Sequence, residues 1–367
     1  MRLPLFAFLM CCGSIALEGS VPFYSEPAPF NFHLDAGFRQ DNLKFRIGAD
    51  ESSFRRMHER DTPKTRSAVK WKDLKIAQIQ GSFDYTTHDE YYIRANASYG
   101  RVVNGRARVE NFDLKRHHID DADSDSSNFI FPSSSSSSCS SSSFRSISSS
   151  SSCDRVREYS QQSADSHNGY VADLIGGVGY KAITNDGRGW VAAVGGYSFH
   201  RQSFEMTNFE QEIDLIDFLD VGPIPDLKGT YLTSWIGPWL GVDYLSKIEY
   251  DVTLYGSLEW HWAKYRADGH WNYTDAYKAH IRHSGRGYGA VARLGVDWTP
   301  CEAWAFGISG DYQIWSTKRK ARNRATVFND LPLGDEIELT FPVVRKSSLR
   351  RVRWNSFSIN ALVSYRF

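Results

Sequence analysis

Two groupings of acidic residues and histidine in this sequence have a spacing that could support chemistry. Asp268-Gly269-His270 places a carboxylate two residues before an imidazole. On an extended strand such residues share a face, so the carboxylate can orient the imidazole and raise its basicity, as general-base catalysis requires. His117-His118, followed by Asp121, Asp123 and Asp125, offers metal-ligand types. Spacing alone fixes no coordination geometry, and a disordered polar loop is the expected state there. The same aspartates open like a calcium loop, but its turn glycine is missing and Pro132 stands where the closing glutamate belongs. A Gly-rich phosphate loop, a Gly-x-Ser-x-Gly elbow and His-Glu-x-x-His are all absent. No metal or organic cofactor is expected.

The elements that would position Asp268 and His270 are strands. Ala77, Ile79, Gly81, Phe83 and Tyr85 alternate with Gln78, Gln80, Ser82 and Asp84. Ala290, Ala292, Leu294, Val296 and Trp298 alternate with Arg293, Gly295 and Asp297. At the C-terminus Phe357, Ile359, Ala361, Val363, Tyr365 and Phe367 alternate with Ser358, Asn360, Leu362, Ser364 and Arg366. Period-two patterns with Arg, Asp, Gln and Asn on one face fit strands with one side to lipid and the other to a polar lumen. Aromatics make up 14% of the 367 residues, a share that suits the two girdles of a membrane barrel. The 43 basic and 43 acidic residues cancel, which argues against a dedicated nucleic-acid binder.

Arg2, the apolar run from Leu3 to Cys12 and the small residues Ser14-Ile15-Ala16 read as a signal peptide over 1–16. No later apolar run is long enough for a transmembrane helix. The expected product is therefore an all-β chain, a transmembrane antiparallel barrel over 17–367 with a Ser-rich disordered insertion at 133–152. Tight turns such as Thr87-His88-Asp89-Glu90 and Thr299-Pro300-Cys301-Glu302 alternate with long polar connections near 51–67, 104–165, 208–229, 266–285 and 320–352. Trp298 and Trp304 straddle the second of these turns, where an aromatic girdle belongs. Short periplasmic turns and long outer loops give about ten strands, with both termini periplasmic in the cell outer membrane. After cleavage Cys139, Cys153 and Cys301 remain, an odd number in which Cys139 and Cys153 either pair or stay as thiols. The last long connection is basic, from Lys318 to Arg324 and from Arg345 to Arg353. It reads either as contact with anionic headgroups or as a solvated loop.

From about Phe32 to Phe367 the chain resembles the omptins, ten-stranded outer-membrane proteases. Trp71-Lys72 with Ala77-Gln78-Ile79-Gln80-Gly81 resembles an early strand, and Gly100, Gly105 and Asp113 resemble the approach to the second outer loop. Trp262 leading to Asp268-Gly269-His270 resembles the strand and fourth outer loop that carry the family's Asp-His pair. The resemblance implies a water activated between that pair and an Asp-Asp pair opposite, with His270 as base, Asp268 as its orienter and Asp113 holding the water. Asn111 and Lys115 flank Asp113, so the second aspartate would come from Asp120, Asp121 or Asp123 through a shifted loop. Phe45 stands where an early-strand glutamate would be, and Ala267 or Arg266 where a further aspartate would be. A preference for basic substrates is therefore not implied. The resemblance also implies a lipopolysaccharide dependence, a polypeptide substrate and a monomer among outer-membrane lipid.

Two functions follow as expectations: an omptin-like endopeptidase, or a non-catalytic barrel (porin, adhesin or surface structural protein) on the same frame. The incomplete Asp-Asp pair and the missing acidic pocket favour the second, and the Asp-His pair in the expected loop favours the first. Asp268 and His270 share even numbering with Trp260 and Trp262, which should face lipid. They reach the lumen only if the strand bulges or twists above the membrane.

Overall fold

The computed structural model describes residues 30–48, 66–116, 154–183, 188–214, 221–249, 251–274, 277–301, 303–318, 321–332 and 338–366. The expected signal peptide, the Ser-rich insertion, His117, His118, Asp120, Asp121, Asp123, Asp125, Cys139, Cys153 and Phe367 lie outside these residues. Among the described residues twelve strands follow one another: β1 (Phe30–Gly48), β2 (Arg66–Thr86), β3 (Tyr91–Arg116), β4 (Asp154–Ile183), β5 (Gly189–Asp214), β6 (Gly222–Pro223), β7 (Lys228–Lys247), β8 (Val252–Thr274), β9 (Tyr277–Trp298), β10 (Trp304–Thr317), β11 (Ala321–Pro332) and β12 (Glu338–Arg366). All neighbours in the wall pair antiparallel, and β1 closes the ring on β12. β6 is a short appendage on β5, while β10 and β11 fill successive stretches of one position between β9 and β12. The wall therefore has the ten positions that the alternation predicts.

Each long strand carries two patterns joined end to end. On β8 the outward residues begin as Leu254, Leu258, Trp260 and Trp262 and continue as Lys264, Arg266, Asp268 and His270. Inward, Ser257, Glu259 and His261 give way to Ala263, Tyr265, Ala267 and Trp271. β1 does the same: Phe32, Leu34 and Phe38 outside become Gln40, Asn42, Lys44 and Arg46, while Asp35, Arg39 and Asp41 inside become Leu43 and Phe45. The half of each strand nearest the short turns is apolar outside and polar within, as a lipid-embedded wall requires. In the half farther from those turns the outside is polar, so the apolar side turns inward and fills a core as in a soluble barrel.

This inversion corrects the expected loops. Much of what reads as long polar connection is strand: β3 runs to Arg116, β4 starts at Asp154, β8 reaches Thr274 and β12 begins at Glu338. Beyond Trp262, β8 runs on the order of 40 Å along its own length to Thr274. The ladder persists because alternation persists; only which face is apolar has changed.

That upper core is aromatic. Phe45, Trp71, Phe204, Tyr231, Trp235, Tyr265, Trp315 and Trp354 are all buried. Phe45 stacks on Tyr231 with centroids 5.2 Å apart, Trp71 on Tyr231 at 4.8 Å, and Trp315 on Trp354 at 5.6 Å. Small residues on β9 make the room. A Cβ at Gly289 would lie 2.4 Å from the Trp315 ring, and one at Gly287 would lie 2.7 Å from that of Trp235.

Candidate functional site

The structure places Asp268 and His270 on the outer face of the wall. The pairing of β8 with β7 and with β9 runs without a register shift from Thr253 to Asn272, so parity carries unbroken from Trp260 to His270. The residues that face inward in this stretch are Ala267, Gly269 and Trp271. Packing explains the glycine: a Cβ at 269 would lie 2.4 Å from the Trp271 ring and 3.1 Å from that of Tyr231. Asp268 instead meets β9, with its Oδ1 3.2 Å from Arg282 Nε and 3.5 Å from His280 Nε2. His270 stacks on His280, ring centroids 4.2 Å apart. Asp113 lies on β3 opposite Arg157 of β4, and its side chain lies outside the described residues. Phe45, at the position where the resemblance would put a glutamate, packs its ring against Tyr231 and His283.

The polar constellations that face inward are others. In the lower lumen three arginines each meet carboxylates. Arg39 donates to Asp41 (2.8 Å) and to Asp173 (2.6 Å), Arg94 to Glu259 (2.6 Å), and Arg293 to Asp311. Asp41 joins this layer to the aromatic core, since it also accepts from Gln202 at 2.7 Å and from Trp354 Nε1 at 3.1 Å. Two imidazoles extend the chains: His200 Nδ1 is 2.9 Å from Asp173, and His261 Nε2 is 2.8 Å from Glu259. The space left among Arg39, Arg94 and Arg293 is a cavity of about 50 Å³, room for little more than a water or two.

One of these chains has the composition of a hydrolytic triad. Ser198 Oγ is 3.0 Å from His261 Nδ1, and Glu259 holds the other ring nitrogen. Nucleophilic catalysis also needs a substrate carbonyl beside the serine and donors for the oxyanion. Ser198 and His261 are fully enclosed, with the Trp315 and Trp239 rings 4.9 and 6.0 Å from the imidazole. The trio has no room for a substrate and serves to hold the lumen together. Its signal in the sequence is the inward parity that Ser198, His200 and Gln202 share on one strand and Glu259 and His261 on another.

A closed ring of ten antiparallel wall positions, apolar outside and polar within over its lower half, defines an outer-membrane β-barrel. Within that class the chain belongs to the Pom family, the Protochlamydia outer membrane proteins, whose profile matches residues 33–129 and 140–367. Among solved structures it is similar to the outer membrane protease OmpT from Escherichia coli, at 11% identity and a TM-score of 0.63 over 95% of this chain and 99% of that one. At that identity the likeness is one of fold. Matches to the translocator domain of the autotransporter NalP from Neisseria meningitidis (10% identity, TM-score 0.32, 99% of this chain and 95% of that one) and to a Pseudomonas aeruginosa FadL homologue (9%, 0.26, 94% and 93%) are too remote to carry an argument. A comparison with curated proteins finds no match.

Proposed function

We propose that this chain is a non-catalytic outer-membrane barrel, a tall and sealed wall that carries its outer segments above the membrane. The observation that carries this reading is the outward placement of Asp268 and His270, with Gly269 and the Trp271 ring turned into a filled core in their stead. A general base must come within hydrogen-bond reach of its proton in a bound substrate, and among the described residues the core beside this pair is filled by Gly269, Trp271 and Tyr231. The test is to refold the protein with lipopolysaccharide and incubate it with a peptide library beside His270→Ala. The expected result is no cleavage by either. Cleavage that His270→Ala abolishes would restore the endopeptidase.

A second reading, passage of small ions, is favoured by one observation. The membrane-level lumen is lined by charged side chains such as Asp35, Arg39, Arg94, Glu259, Arg293 and Asp311 rather than by an apolar core. In planar bilayers this reading expects stepwise conductance from the unmodified protein, and the sealed-wall reading expects none.

The membrane partner belongs to the same proposal. Directly above the lipid-facing residues the outer face carries Arg46, Lys72, Lys264, Arg266, Arg286 and Arg353, all exposed. Lys44 has its ammonium held below the ordinary lysine range by burial and then by the neighbouring cations Lys70 and Arg46. Such a belt suits lipid phosphates, lipopolysaccharide among them. It supports an orientation with the short turns on the periplasmic side and the inverted half outside.

A further inference from the structure

Asp268 and His270 remain without a role in the sealed-wall reading, yet their surroundings have chemistry of their own. His280 of β9 stands directly across from His270 of β8. The two imidazoles lie nearly parallel, 11° apart in plane with centroids 4.2 Å apart. Asp268 Oδ1 lies 3.5 Å from Nε2 of His280. All three side chains point away from the barrel, above the level of Trp260 and Trp262, where solvent reaches them.

The neutral imidazole is the form that ligates metal ions. Directly opposed residues on antiparallel strands have Cβ atoms about 4.5–5.5 Å apart, so the two rings, on turning out of their stack, can each bring one nitrogen to a shared ion at about 2.0–2.1 Å.

We propose that His270 and His280 form an outward-facing site for a divalent transition metal of the zinc, nickel or copper class. Asp268 is its positioning residue: by engaging Nε2 it fixes the ring of His280 and leaves Nδ1 as the ligating atom, as carboxylates do behind many metal-bound histidines. Among the described residues no three His, Cys, Asp or Glu side chains are gathered closely enough to hold an ion by themselves. The ion therefore takes two protein nitrogens and completes its shell with water, which makes the site shallow and exchangeable. Imidazole ligands select these metals over calcium and magnesium, which need several oxygens, and the guanidinium of Arg282 beside Asp268 opposes a carboxylate-only site.

The test is calorimetric titration of the full chain, refolded in detergent and stripped with a chelator, with zinc chloride and separately with nickel chloride. One ion per chain is expected. His270→Asn and His280→Asn should each weaken binding at least about tenfold, and Asp268→Asn about tenfold, while His88→Asn, at a distant turn, leaves it unchanged. Folding of each variant is read independently from heat-modifiable migration on gels, and glutamine replaces asparagine in any variant that fails it. Absence of binding by the unmodified chain would overturn the proposal. So would undiminished affinity in both histidine variants, or loss on His117→Asn with His118→Asn instead.

Discussion

His283 sits in the upper core with its Nδ1 2.9 Å from the Tyr231 hydroxyl and its ring edge-on to Phe45, centroids 4.8 Å apart. Burial pushes its pKa down to about 3, against about 6.5 in an unfolded chain. Below pH 6.5 the unfolded chain takes up a proton that the folded barrel refuses, so stability falls as pH drops from about 6.5 towards 3. At pH 4.5 the loss from this residue alone is about 2–3 kcal/mol. Urea unfolding at pH 7 and pH 4.5 should show that His283→Gln removes that part of the acid sensitivity. An unchanged difference would mean that the imidazole is already protonated or solvated in the folded barrel. Arg39 poses the opposite problem, a buried charge that must stay paired. Its side chain is 3% exposed and holds both Asp41 and Asp173. Arg39→Ala strands two buried carboxylates and should cost about 3–5 kcal/mol, read from the urea midpoint of the heat-modifiable form.

At the scale of the strand, the inversion of pattern decides what the sequence could reveal. The lipid-facing halves are legible because apolar residues stand at every second position against Arg, Asp and Gln, and the ten-position ring follows from them. The upper halves hide. Lys264, Arg266, Asp268 and His270 read as a polar loop when apolar residues are expected outside, although Ala263, Tyr265, Ala267 and Trp271 keep the alternation in the opposite phase. The same phase argument bears on the candidate site. Asp268 and His270 have the spacing of a base and its orienter, but spacing does not say which side of the wall they occupy. The unbroken register from Trp260 onward does. The lumen pairs were harder to foresee, because Arg39 meets Asp173 and Arg94 meets Glu259 across the barrel, at sequence distances of 134 and 165. A substitution series along β8 tests the inversion. Leu258→Arg places a cation against lipid and should cost about 2–4 kcal/mol. Asn272→Arg, on the same face beyond the belt, should fall within about 0.5 kcal/mol of the unmodified chain. Equal costs at both positions in vesicle-embedded urea titrations would mean that the outer face does not change environment between them.

For the whole molecule the inversion stacks two different barrels on one set of strands. The lower one has a lumen of arginine–carboxylate chains that water or ions could wet. In the upper one, among the described residues, aromatic rings fill the core. Asp41 lies at the seam, accepting from Arg39 below and Trp354 above, so the two layers are mechanically joined. If the rings are what seals the barrel, thinning them must open it without disturbing the charged layer beneath. Trp71→Ala combined with Trp235→Ala removes two buried rings that reach the lumen from opposite parts of the wall. Each truncation should cost about 3–5 kcal/mol, a loss that added lipid and low temperature can offset in a ten-position barrel. In planar bilayers the unmodified protein should be silent, and the double variant should show stepwise ion currents. Currents of equal size from both proteins would locate the seal elsewhere or deny that one exists, and the small-ion pathway would then become the better reading. Silence from both, with the variant shown to be folded, would mean that the charged layer is itself impermeable and that the barrel is closed along its whole length.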